Sequence, residues 1–284
     1  MRTSPERRSL SRQDVAGKTL AYVLLITVTI LIAGPLVWML SSSLRHLDQM
    51  MTIPIRWFTW PLVWGNYPRA LTEIPFFREL ANTLFLSIAT SVGATISASM
   101  AAYALSRLQW PGRQGVFLLL IGTMFLPGAV TLIPTYLIFR DLGWVGTYLP
   151  LIVPSFLAPA FATFLLRQFF LTIPTSLNDA GRVDGASEWT IFSRILMPVT
   201  VPAIGTVAVL TFVATWTDYL NPLIYISSPQ QYTLSLGLSA FLGQHSANWN
   251  LLMAAGVVFT LPLIVLFFFG QRFFLRGLVL SGDQ

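Results

Sequence analysis

The side chains able to do acid–base chemistry in this chain are few, and several of them gather in one place. Asp179, Asp184 and Glu188 fall within IPTSLNDAGRVDGASEWTIFSRILMP, residues 173–198, together with Arg182 and Arg194. Three carboxylates this close could serve proton transfer or hold a metal, but either task needs a convergent base or further ligands, and no histidine accompanies them. His46 and His245 are far apart in sequence and the chain has no cysteine, so a zinc-type donor set is lacking. Gly17-Lys18-Thr19 imitates the end of a phosphate-binding loop, but the pattern needs a glycine where Arg12 stands. No G-x-S-x-G nucleophile elbow occurs. The chain therefore reads as non-catalytic, binding no cofactor or metal of its own.

What positions the acidic island is a pair of short helices. Ser176 and Asp179 have the S-x-x-D spacing of a capping box, which predicts a helix starting at Leu177 and ending near Val183. Gly185 then offers a turn where positive φ costs nothing. Trp189, Phe192, Ile195 and Leu196 recur at helical spacing and predict a second helix with an apolar stripe. Two helices bent at a glycine, apolar on one face and acidic beside it, suit a handle for a partner protein. The same pattern also suits an amphipathic loop lying in the headgroup layer.

The island interrupts a very apolar sequence, 55% hydrophobic and only 10% charged over 284 residues. Soluble domains carry roughly 25% charged residues, so a polytopic membrane protein is expected. Charges recur at membrane-length intervals. Lys18 and Arg45, Glu79 and Arg107, Arg113 and Arg140, Asp141 and Arg167, and Arg194 and Asp218 each bracket an uncharged stretch longer than the roughly 20 residues a spanning helix needs. A last span falls at residues 251–269, for six transmembrane helices in an all-α fold. The first apolar run is too long for a signal peptide and no small-residue cleavage site follows it. With the N- and C-termini cytoplasmic, twelve Lys and Arg side chains fall inside and five outside, as the positive-inside rule asks. That orientation puts residues 173–198, between helices four and five, in the cytoplasm. The domain reading is a basic tail at 1–18, a membrane domain at 19–272 and a C-terminal tail at 273–284. The net charge of +6 is spent on this topology; the basic residues form no patch for nucleic acid.

Other features admit two readings each. The outer segment with Trp57, Trp60, Trp64 and Tyr67 suits interfacial anchoring or contact with an external protein. The second span is rich in Gly, Ala, Ser and Thr, which lets helices approach closely. Pro127, Pro134, Pro154 and Pro159 in spans three and four mark either plain kinks or a cavity lined by freed backbone groups. Asp218, about 30 Å of helix beyond Pro198, sits at the outer boundary, as a loop anchor or as a proton-handling group.

Asp179-Ala180-Gly181, then Gly185, then Ile195-Leu196-Met197-Pro198 resemble the "EAA" signature of permease subunits in bacterial ABC importers. That signature reads Glu-Ala-Ala, a glycine four residues later, and a closing isoleucine and proline; Asp179 and Gly181 depart from it here. Residues 101–113, 132–143, 164–174 and 216–224 are similar to the sugar-importing, maltose-type branch of the MetI-like permeases. The resemblance implies an ATP-driven importer subunit in a bacterial inner membrane. Its implied partners are a second homologous permease, a dimer of cytoplasmic ATPases using ATP and Mg, and an extracellular solute-binding protein. Asp179, Ala180, Gly181, Asp184, Gly185, Ala186, Glu188, Trp189 and Phe192 then form the ATPase-coupling loop, with Trp189 and Phe192 filling a pocket on the ATPase and the acids at its rim. No substrate-binding residue is assigned. The rival readings are an ion-coupled carrier, which needs ionisable groups near the bilayer midplane, and a membrane-embedded enzyme.

Overall fold

A chain in hydrocarbon must satisfy its backbone groups internally, and the long apolar stretches do so as helices. The structure, a computed structural model, describes residues 12–54, 56–243 and 247–279. Most of the expected N-terminal tail and the last residues of the C-terminal one lie outside that range. In chain order, α1 (Arg12–Ser43), α2 (Asn66–Glu73) and α3 (Phe76–Ser106) are followed by α4 (Arg113–Met124) and α5 (Gly128–Asp141). Next come α6 (Leu149–Ile152), a 3-10 turn at Val153–Phe156, α7 (Ala160–Thr172) and the loop helix α8 (Ser176–Val183). Then α9 (Glu188–Thr190), a π turn at Ile191–Leu196 and α10 (Met197–Trp216) run on without a break. The short α11 (Leu220–Tyr225) and α12 (Leu234–Gly237) precede α13 (Trp249–Val279), which stays helical past the expected boundary at 272.

Among the described residues five helical stretches are long and apolar enough to cross a membrane: Gly17–Ser43, Phe76–Ser106, Leu149–Thr172, Glu188–Trp216 and Trp249–Gln271. The remaining expected span is two helices, α4 and α5, meeting at 103°. The cause is local. Pro127 is extended (φ −60°, ψ 133°), has no N–H to give, and pushes Leu126 away from helical geometry. The pair still joins opposite ends of the molecule. At its start Arg113 Nη1 donates to the Leu108 carbonyl at 2.8 Å; at its end the Phe139 ring meets Tyr225, 5.5 Å between centroids. Counted as one broken crossing, it completes the six.

α3 is the central post, packed against α7 and α10, and its small residues explain why. A Cβ at Gly93 would come within 2.5 Å of Phe156 Cε2 and Ser155 Oγ, so only glycine lets the broken stretch 149–172 lie this close. At that break Ala158 takes φ +53°, and Ser97 Oγ accepts from its N–H at 3.2 Å while donating to the Ser155 carbonyl at 2.9 Å. A hydroxyl on α3 thus replaces the helix bonds that Pro159 removes. Thr90 and Thr215 join α3 to α10 by their hydroxyls at 2.9 Å.

Two apolar cores result, one at each end. The first gathers Ala102, Tyr103, Leu166, Phe170, Ile191 and Leu196 beneath the loop; the second gathers Ala70, Phe76, Leu234, Phe241 and Leu251 at the far end. The far end also buries two charges. Arg45, 1% exposed, lies 4.5 Å above the Trp38 ring and donates to the Trp57 carbonyl at 2.7 Å, and burial lowers its pKa. Glu79, 2% exposed, leaves Oε2 without a hydrogen-bond partner. Trp60 and Trp64 remain exposed, as rings at an interface do.

Candidate partner-docking loop

Residues 173–198 hold one short helix and the foot of a span, which corrects the expected pair of short helices. The second expected helix, Trp189 to Leu196, is continuous with α10. Pro198 has no N–H and its ring crowds the preceding turn, and the chain meets this by widening: Met197 N–H bonds to the Phe192 carbonyl, five residues back.

The expected capping box does not form either. Thr175, at the N-cap position, is already helical (φ −65°, ψ −25°), and no side chain caps α8. Ser176 is therefore inside the helix, and Asp179 Oδ1 instead accepts from Arg182 Nη1 at 3.4 Å. The cap that does form is Ser187, whose Oγ accepts from Thr190 N–H at 3.2 Å. Ser187 followed by the acidic Glu188 was the signal that the spacing argument passed over.

The bend at Gly185 is as expected. Gly185 has φ +76°; its N–H bonds to the Arg182 carbonyl at 3.0 Å and the Ala186 N–H to the Gly181 carbonyl at 2.9 Å. This is a Schellman motif, which needs a left-handed residue just past the helix end. Gly181 lets the packing close in: a Cβ there would sit 2.9 Å from Ile195 Cδ1 and 3.1 Å from Ile191 Cγ1, and those side chains would have to shift. α8 thus rests on the π turn, and Ile191, which the periodicity missed, is completely buried.

The exposed surface differs from the expected stripe. Trp189 is 63% exposed, but Phe192 is 6% exposed, its ring 5.1 Å from Tyr103 and 5.5 Å from Trp189 between centroids. Phe192 therefore fills this chain's own core and supports Trp189 from beneath. The outward apolar set is Leu177, Val183 and Trp189, with Val183 the most open at 87%. Ala180, Asp184 and Gly185 are exposed beside it and Ala186 is partly covered. Arg182 donates from Nε to Glu188 Oε1 at 2.9 Å, and this bond holds the guanidinium pKa above its usual value. Beneath α8, Asn178 is 3% exposed with neither side-chain atom bonded.

At the far end, α5, α6 and residues 215–225 enclose a cavity of about 320 Å³ lined by Thr135, Phe139, Pro154, Thr215, Asp218 and Tyr225. Asp218 is a loop anchor: its two oxygens accept from Asn221 N–H at 3.2 Å and Asn221 Nδ2 at 2.8 Å. Trp216 is buried and donates to the Phe259 carbonyl at 3.2 Å. Among the described residues no three His, Cys, Asp or Glu side chains converge as a metal site would require.

Residues 93–279 match the family described as "Binding-protein-dependent transport system inner membrane component". The chain belongs to this family. It is a multi-pass inner-membrane permease of an ABC importer. An arabinooligosaccharides transport system permease protein, AraQ, of Halalkalibacterium halodurans is 32% identical over 87% of this chain and 90% of its own length. The sn-glycerol-3-phosphate transport system permease protein UgpE of Brucella abortus is also 32% identical, over 94% of this permease and 98% of its own. Two solved structures share the fold. A bacterial ABC transporter involved in import of the acidic polysaccharide alginate superposes with a TM-score of 0.79 at 24% identity, covering 95% of this chain and all of that one. The MetNI methionine transporter, in inward-facing conformations, gives 0.53 at 17% identity, covering 69% of this chain and 93% of that one.

Proposed function

We propose that this permease forms half of the pathway for a sugar or oligosaccharide, paired with a second homologous permease. Its loop 173–198 faces the cytoplasm and is held by an ATPase dimer that hydrolyses ATP with Mg, while an extracellular solute-binding protein delivers the substrate. The observation that carries this reading is an exposed apolar tip, Leu177, Val183 and Trp189, on a base packed into the subunit's own core. An apolar tip on a locked base is what a lever between two proteins needs, since displacement at the tip must reach the base undiminished. Asp179, Asp184 and Glu188 border the tip and tune partner choice more than affinity. The chain itself does no chemistry. The substrate class rests on the relatives, whose printed names refer to arabinooligosaccharides and sn-glycerol-3-phosphate, and on the hydroxyl- and aromatic-lined far cavity. Co-expression with the partner subunits tests it: nucleotide-dependent uptake of a sugar into vesicles is expected, and Gly185→Asp should keep membrane insertion while separating hydrolysis from uptake. Undiminished uptake by that variant counts against the mechanism.

A further inference from the structure

α3 holds the loop at its start and again just past the Gly185 bend. Tyr103 lies in the last turn of α3 and Arg107 is the residue that caps it, its N–H bonded to the Tyr103 carbonyl at 2.8 Å, so the two share a face. Arg107, 9% exposed, donates from Nη2 to the carbonyls of Phe170 and Ile173, the latter at 2.5 Å. Phe170 is in the last turn of α7, where its carbonyl also accepts from Ile173 N–H at 3.2 Å, and Ile173 is the extended residue that ends the helix. Tyr103 donates its hydroxyl to Glu188 Oε2 at 2.5 Å, on the first residue of α9, just past the Gly185 bend. The other Glu188 oxygen accepts from Arg182, which also reaches Asp179, so the chain of bonds continues into α8 itself. The Tyr103 ring is seated against Phe170 and Phe192, at 6.3 and 5.1 Å between centroids, and this fixes where its hydroxyl points.

The other end of α3 reaches the far cavity. Leu86 lines it, and Thr90 is bonded to Thr215, which also lines it. Seventeen residues of helix separate Leu86 from Tyr103, about 26 Å at the α-helical rise. α3 is thus one unbroken helix, bonded to the loop at its C-terminal end and part of the cavity wall further along.

We propose that Tyr103 and Arg107 are positioning residues for coupling, which clamp α3 to the loop so that displacement of α8 is delivered along α3 to the far cavity. The inference rests on the proposed coupling role of the loop and adds the second span as its main transmitter, beside the spans the loop directly connects. Charge-assisted hydrogen bonds contribute roughly 1.5–3 kcal/mol, which converts to a change of about tenfold or more in how tightly α3 follows α8.

The test uses the full transporter with Tyr103→Phe, which removes the hydroxyl and leaves the ring in its slot. ATP hydrolysis should persist while solute moved per ATP falls about tenfold; Glu188→Gln, which keeps an acceptor but not the charge, should fall less. In parallel, spin labels on Ser106→Cys and Asp184→Cys, introduced into a chain without native cysteine, report the distance from α3 to α8 in the full chain in nanodiscs. A narrow distribution in the otherwise unaltered chain that broadens with Tyr103→Phe supports the clamp. Parental solute-to-ATP ratio in Tyr103→Phe overturns the inference, as does loss of uptake and hydrolysis in equal step with the folded fraction. A broad distribution in the parent overturns the clamp whatever the loop does. A narrow parental distribution in an assembly that shows no hydrolysis-linked uptake overturns the proposed function instead.

Discussion

Gly185→Ala is the sharpest single perturbation of the loop. Gly185 has φ +76°, and a Cβ built there meets nothing within 4 Å, so the substitution acts through the backbone alone. An L side chain in the left-handed region costs about 1–2 kcal/mol. The Schellman turn, held by the Gly185 and Ala186 amides, should then open about 5- to 30-fold more often. Hydrogen exchange at those two amides reads the opening directly, and transport per ATP in vesicles reads its consequence. Gly185→Asn is the control, because asparagine tolerates this region and should recover most of the protection. Equal exchange in glycine, alanine and asparagine variants would refute the claim that this turn is held by left-handed backbone. Normal coupling despite faster exchange would refute its mechanical importance.

Three further outcomes are expected. Trp189→Ala, at a ring 63% exposed in the subunit, should leave thermal stability unchanged but weaken ATPase association by about 2 kcal/mol, roughly 30-fold, measured by titration of the purified partner. Ser187→Ala should lower protection of the Thr190 amide by about 1 kcal/mol, whereas Ser176→Ala, which caps nothing, should stay within about 0.5 kcal/mol of the parent. Gly93→Val should cost about 1–3 kcal/mol or more and reduce folded yield, because its side chain meets Phe156 and Ser155 at 2.5 Å; Gly115→Ala, with open space around it, should be neutral in thermal melts.

The spans were legible because a charge is costly inside hydrocarbon, so uncharged intervals mark helices whatever packs around them. Gly185 was legible for a similar reason: its φ answers to local sterics. The loop's surface was not. The helix starts one residue before the expected Leu177, which moves Ser176 from cap to interior. The π turn before Pro198 shifts the helical phase, so a stripe drawn at uniform spacing counted Phe192 as exposed and overlooked Ile191, while Val183 lies on α8, outside that stripe. The 103° bend at Pro127 was visible as a proline but not as an angle, since a proline marks where a helix can break and not how far its two halves then turn. Burial of Arg45 and Glu79 was not read from the sequence: each sits at a span end, Arg45 covered by the folding-back of the outer segment through Trp57 and Glu79 by Gly237, far along the chain.

The most direct test places a single thiol at the loop tip. Val183→Cys would carry the one cysteine of the subunit, at a site 87% exposed. In the assembled transporter it should react with a membrane-impermeant maleimide only from the cytoplasmic side, form a crosslink to the ATPase through a short bifunctional reagent, and be shielded from both when nucleotide closes the ATPase dimer. Labelling from the exterior, or a tip that stays freely reactive and crosslinks to no ATPase, would contradict a cytoplasmic lever gripped by a motor subunit.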